Sequence, residues 1–144
     1  MRDIRFRAWD PCLKAMRIVT ELSWWNEDGV QVTVDQTPNH GTYEMPIGLP
    51  VLMQWTGLLD KNGKPIFEGD IVKYNIYFTG DKPAHEDDED DMFYKVEWSD
   101  ESCGFEPFSD SKSNCGCCGG GIDKYFCEVV GNIFEHSELL KDGE

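Results

Sequence analysis

Thr56-Gly-Leu-Leu-Asp-Lys-Asn-Gly-Lys-Pro-Ile-Phe67, then Glu68-Gly-Asp70, then Ile71-Val-Lys-Tyr-Asn-Ile-Tyr-Phe78 is the stretch that decides the fold of this 144-residue chain. Asn62-Gly63 supplies two adjacent residues that tolerate positive φ, a strong local hairpin signal, and Leu58/Leu59 and Ile66/Phe67 flank it symmetrically. Glu68-Gly-Asp70 is a second tight turn. It launches a run rich in β-branched and aromatic residues, which reads as a strand. Two turns and three strands within about twenty residues leave no room for a helix.

Working outward, the rest of the chain has the same character. Ile4-Arg-Phe-Arg-Ala-Trp9 alternates, with Ile4, Phe6 and Ala8 on one face and Arg5, Arg7 and Trp9 on the other. Asp10-Pro11 ends it, and Met16 to Thr20 returns as the second arm of a hairpin. Leu22 to Trp25 is ambiguous. Val30 to Val34 alternates as a strand, Thr37 to Gly41 is a loop, and Val51 to Trp55 is a short apolar strand. Phe93 to Trp98 follows, then Gly104 to Phe108, an edge strand because Pro107 cannot donate to a ladder. Tyr125 to Val130 is the closing strand, with a kink at Gly131-Asn132 and a continuation through Ile133-Phe134. Ser137 is placed to cap one helical turn, Glu138 to Lys141. No 3.6-residue period persists anywhere. The expected fold is mainly β: an SH3-like small barrel with an N-terminal β-hairpin extension and a short C-terminal helical turn, in a single domain over residues 1–144.

Composition bounds the function. Hydrophobic residues make up 40% of the chain, and five Trp, eight Phe and five Tyr argue against disorder. The net charge is −15, from 28 acidic and 13 basic residues, and it is uneven. Residues 1–17 carry five bases against two acids, a local +3, whereas residues 81–110 carry twelve acids against Lys82 and Lys95, a local −10. The acidic stretch repels a phosphate backbone and attracts a basic partner surface. The N-terminus has no apolar core of a signal peptide, and the apolar run Met45 to Met53 is broken by Pro46, Gly48 and Pro50. The expectation is a cytoplasmic protein, with no membrane association and with its six cysteines reduced.

Few residues invite chemistry. Cys115-Gly-Cys-Cys118, with Cys103 upstream and Cys127 downstream, offers enough thiolates for tetrahedral zinc. It has a single C-x-x-C knuckle, and His136 lies nine residues beyond Cys127, so Cys103 and Cys127 read better as apolar core positions. Glu86 to Asp91 lacks the spaced ligands of a calcium loop and reads as a solvated segment. Asp60 and Asp70 sit in turns, where a carboxylate caps local N–H groups, and a catalytic pair has no further support. His40, His85 and His136 are scattered, and no nucleophile elbow or phosphate-binding glycine loop is present. The sequence therefore assigns no catalytic, cofactor-binding or metal-binding residue, no cofactor, and no enzymatic activity. Arg5, Arg7 and Trp9, with Arg17 on the neighbouring strand, form the one basic aromatic face suited to nucleic acid, which the net charge disfavours.

Three segments carry a family resemblance. They are Phe6-Arg-Ala-Trp9 with Met16; Met53-Gln-Trp-Thr-Gly-Leu58, Asp60-Lys-Asn-Gly63 and Ile66-Phe-Glu-Gly-Asp-Ile-Val72; and Glu128-Val-Val-Gly-Asn-Ile-Phe-Glu135 with Glu138-Leu-Leu140. The chain resembles the YopX-like proteins of bacteriophages and prophages over nearly its whole length. The resemblance implies a β-rich fold with an SH3-like barrel and a phage or prophage origin, and it carries over no catalytic residue. The acidic run at 86–91 and the Cys-rich loop at 115–118 depart from the shared pattern. The resulting expectation is a non-enzymatic accessory protein acting through protein contacts, as a homo-oligomer or with a partner that presents a basic surface. The alternatives are a nucleic-acid-associated protein using the N-terminal hairpin, and an acidic decoy of a host nucleic-acid-binding protein.

Overall fold

Strand pairing in a computed structural model follows the turn signals closely, for the residues it describes: 3–26, 29–36, 39, 41–46, 48, 50–74, 92–101, 103–108 and 127–140. Ten strands and one short 3-10 helix are present among the described residues. They form two antiparallel sheets, ordered β4-β3-β2-β1-β5-β6 and β10-β7-β8-β9, and no closed barrel among the described residues. The chain divides into two compact units, Met1–Trp55 and Thr56–Glu144, and strand β5 runs from the first into the second.

The first unit contains β1 (Phe6–Asp10), β2 (Ala15–Asn26), β3 (Gly29–Asp35), β4 (Thr42–Met45) and the first part of β5 (Val51–Leu59). Register sets its core. Ala8 lies opposite Arg17 and Leu52, Val34 opposite Val19 and Tyr43, and Val32 opposite Leu22 and Met45. Side chains directly opposite in an antiparallel pair share a face, so these residues gather on one side of the sheet. Ala8, Val32, Val34 and Met45 are buried there, with Val19, Leu22, Val30, Tyr43 and Leu52 packed against them.

Within the first unit, β2 and β4 go beyond what the sequence pattern reveals. β2 runs on to Asn26 instead of stopping at Thr20, because register shifts between Val19 and Glu21 and between Trp24 and Asn26 keep it paired to β3. The shift after Val19 returns Leu22 to the core face, which simple alternation would not do. β4 lies where the sequence carries no strand signal of its own; Met45 pairs with Val32 there and joins the buried cluster.

The second unit contains the end of β5, β6 (Pro65–Phe67), β7 (Asp70–Tyr74), β8 (Met92–Ser99), β9 (Gly104–Phe108), β10 (Cys127–Asn132) and the 3-10 helix Ser137–Leu140. Ile66, Val72, Val96, Cys127 and Val129 form its core, with Leu58, Tyr94 and Phe105 packed against them. The Asn62-Gly63 turn is present, with Gly63 at φ 82°, closed by Gly63 N–H donating to the Asp60 carbonyl and Asp60 N–H to the Lys64 carbonyl. β5 does not end at Trp55. It passes through Gly57 at φ 87°, and the Thr56 hydroxyl bonds the Ile66 carbonyl at 2.8 Å, tying the strand to β6. β10 ends at Asn132 and does not continue through Ile133-Phe134. The Asn132 side-chain oxygen accepts from both the Phe134 and the Glu135 amides, which turns the chain out of the ladder. No described helix is long and apolar enough to cross a membrane.

Candidate functional site

One face of the first unit stands out because it combines cations, indoles and exposed aliphatic groups. Arg5, Arg7 and Trp9 alternate along β1 and its approach. Arg7 lies between Ile18 and Met53 in register, and Trp9 between Met16 and Val51. The Trp55 amide donates to the Arg5 carbonyl at 2.8 Å, which extends the β1–β5 ladder by one step. Trp55 thereby joins this face, and the Arg5 guanidinium lies over its ring, 4.9 Å from the centroid. Arg5 also meets Asp3 at 3.0 Å, an exposed pair of the kind worth at most about 1 kcal/mol. Ile18 is 68% exposed and Val51 44%. Such an arrangement suits an anionic partner that also presents apolar groups.

Arg17 does not belong to that face. It sits opposite Ala8 in register, on the core side; the Nε atoms of Arg7 and Arg17 are both buried, so it is register and not burial that separates them. The expected set of three arginines around Trp9 is therefore split between the two faces of the sheet. Alternation along β1 was readable in the sequence; the register of β2 against it was not. The gain of Trp55, Ile18 and Val51 and the loss of Arg17 both follow from pairing that no local signal reports.

On the core side, Asp10 collects donors. Its Oδ1 accepts from the Cys12 amide at 2.8 Å and the Leu13 amide at 3.1 Å, and its Oδ2 from the Tyr43 hydroxyl at 2.7 Å. Burial pushes the Asp10 carboxyl up, but the Tyr43 hydroxyl, the Leu13 and Cys12 amides and the Arg17 charge outweigh it, and its pKa falls below the ordinary aspartate value. Burial, and then the hydrogen bond and charge of Asp10, raise the Tyr43 phenol, with Arg17 partly opposing. The cluster locks the β1–β2 turn to β4.

The second unit uses its polar residues the same way. Asp60 Oδ1 accepts from the Asn62 and Lys64 amides at 2.8 and 2.9 Å, and Oδ2 from the Val129 amide at 2.9 Å. Burial raises its pKa, but the Val129, Lys64 and Asn62 amides and the Lys64 charge lower it by more. Asp70 Oδ2 accepts from the Phe67 amide at 2.8 Å and is buried. His136 Nδ1 accepts from the Asn132 amide at 3.3 Å, and the Asn132 side-chain amide donates to Glu135 at 2.7 Å. The Asp60 and Asp70 carboxylates are turn locks that accept from backbone donors.

Asp60, Asn62-Gly63, the Glu68-Gly69-Asp70 turn and the Gly131-Asn132 bend all fall in the segments that carry the family resemblance, and the model of the YopX protein family matches residues 5–141. The chain belongs to the YopX family. Its fold is similar to the crystal structure of protein EF1440 from Enterococcus faecalis, with a TM-score of 0.53 and 27% identity, over 97% of this chain and 99% of that one. No curated protein matches it. Within this YopX chain the family segments do fold-defining work: they build the turns that join β5 to β6, β6 to β7 and β10 to the 3-10 helix.

The remaining candidates are dispersed. Cys127 is buried in the second unit's core, as expected of an apolar thiol. Cys103 is not a core position: it is exposed in a turn at φ 54°, with its Sγ 3.6 Å from the Asp100 carbonyl. Cys115, Cys117, Cys118, His40, His85 and the acidic run Glu86 to Asp91 lie outside the described residues. Among the described residues no group of three or more His, Cys, Asp or Glu is placed to hold a metal ion.

Proposed function

We propose that this YopX-family chain is a non-enzymatic phage or prophage accessory protein, acting in the bacterial cytoplasm through protein contacts and assembling with copies of itself. The observation that carries the reading is the face of β2, β1 and β5 in the first unit. Ile18 and Val51 are exposed there beside Arg5, Arg7, Trp9 and Trp55, which is contact chemistry and not reaction chemistry. The buried carboxylates support it from the other side, because their oxygens accept from backbone amides. Light scattering across a concentration series tests the reading. A mass of several chains is the expected result, and a single-chain mass throughout overturns it.

A second reading is favoured by one observation, the Arg5 guanidinium stacked on Trp55 in line with Arg7 and Trp9. Interleaved arginines and indoles suit single-stranded nucleic acid. The test is an electrophoretic shift with single- and double-stranded DNA and RNA at low salt, where electrostatic binding is strongest. The register that puts Arg17 opposite Ala8, on the core side, weakens this reading relative to protein contact.

A further inference from the structure

Four strands end the two sheets, β4 and β6 in one, β10 and β9 in the other. Three of them are blunted against further pairing. β6 begins at Pro65, which has no N–H, and its Phe67 amide is taken by Asp70. β9 contains Pro107. On β10 the Val129 amide and the Cys127 carbonyl are taken by Asp60 and Lys61. β4 (Thr42–Met45) has no such device among the described residues. Its pairing phase fixes which groups face the open edge. The Gln36 amide donates to the Gly41 carbonyl at 2.9 Å, in register with the pairs Asp35–Thr42 and Val34–Tyr43. Hydrogen-bonded and non-bonded pairs alternate along an antiparallel ladder. Gly41, Tyr43 and Met45 therefore turn their backbone groups toward β3, whereas Thr42 and Glu44 turn theirs outward, and both residues are exposed.

We infer that β4 pairs antiparallel with β4 of a second copy, about a two-fold axis at Tyr43, so that the sheet continues from one chain into the next. The inference rests on the self-assembly reading above and names a contact for it apart from the outer face of β2, β1 and β5. The strand's own pattern selects a second copy as the occupant. Thr42 and Glu44 flank Tyr43, so a copy running the opposite way sets Thr42 against Glu44 and Glu44 against Thr42, and each outward N–H meets an outward carbonyl. Directly opposite side chains share a face, and here each carboxylate faces a hydroxyl that donates to it. Centring the pair on Glu44 would instead oppose two carboxylates and set Thr42 against Pro46, which has no N–H. The contact uses the same strand on both chains, so it closes at two copies, and any larger assembly that contains it holds an even number of chains.

Proline at an outward position tests this, because it removes an N–H that β3 does not use. Glu44→Pro in the full-length chain is expected to keep the wild-type near-ultraviolet circular dichroism and to halve the mass seen in light scattering. Amide exchange gives a second measure on the unaltered chain. Protection at Thr42 and Glu44 should rise with protein concentration, while Tyr43 and Met45, already bonded to β3, stay constant. If the proline disturbs the fold, side-chain charge decides. Thr42→Glu sets like charges opposite one another and halves the mass, and adding Glu44→Lys to it restores the wild-type mass. If wild type assembles while a folded Glu44→Pro or Thr42→Glu keeps its mass, or while the Thr42 and Glu44 amides exchange at one rate at every concentration, the interface is wrong and the self-assembly reading survives. If wild type itself is a single chain at every concentration, both fall.

Discussion

Asp60 Oδ2 accepts a hydrogen bond from the Val129 amide at 2.9 Å, across 69 residues of sequence. Next to it, the Lys61 amide donates to the Cys127 carbonyl at 3.1 Å. Val129 and Cys127 point these groups away from β7, so the β5–β6 turn satisfies the outer edge of β10. An edge strand with unpaired amides invites pairing with other chains, and here a carboxylate and a turn amide occupy that position. One aspartate thus shapes its own turn and seals a sheet edge.

Asp60→Asn preserves size and removes the second acceptor. The new amide sets N–H against the Val129 N–H, or, flipped, against those of Asn62 and Lys64. A buried donor left unpaired costs about 1–3 kcal/mol. The expected outcome is a loss of that size in urea unfolding. A midpoint unchanged from wild type contradicts the role assigned to Oδ2.

Acid should destabilise the protein through Asp10 and Asp60. Both carboxyls have folded pKa values below the ordinary aspartate value. Their contribution is therefore fully present above the unfolded value of about 3.9 and is lost as pH falls through the lower folded values. Tyr43 has the opposite sense: its folded pKa is raised, so its contribution holds below about pH 10 and is lost as pH rises through the folded value. Urea midpoints between pH 2 and 11 should show both declines, and Asp60→Asn should flatten the acid side.

Tyr43→Phe removes one hydrogen bond to a carboxylate, the 2.7 Å contact with Asp10, 33 residues away in sequence. The expected cost is about 1.5–3 kcal/mol. The Asp10 pKa should rise toward its ordinary value, as followed by carboxyl carbon NMR. A stability loss with no movement of that titration would assign the tyrosine a packing role alone.

Gly131 lies under an imidazole. A Cβ there would meet His136 Cγ at 2.6 Å and Nδ1 at 2.7 Å, so Gly131→Ala must displace the ring and its bond from the Asn132 amide. Overpacking of this kind costs about 1–3 kcal/mol. A double-mutant cycle with His136→Ala should show a smaller penalty once the ring is gone. Equal penalties in the two backgrounds would mean that the ring is not the obstacle.

Strand pairing near each turn was legible because its causes are local. Asn62-Gly63 permits the φ of 82° the turn needs, and Asp60 caps amides two and four residues ahead. Alternation placed Arg5, Arg7 and Trp9 together for the same reason. Legibility failed at β4, a four-residue strand held by a partner and not by its own pattern. It failed again at β2, where register shifts break the alternation that reveals a strand.

By itself, the sequence determined the β class, the turns, the YopX family and the separation of a basic hairpin from an acidic stretch, since each depends on residues close together in the chain. Only the tertiary structure decided that Arg17 turns to the core side with Asp10, that Trp55 takes its place beside Arg5, and that Asp60 reaches Val129. Those outcomes depend on inter-strand register, which is set by burial and long-range hydrogen bonds between segments that carry no mark of one another.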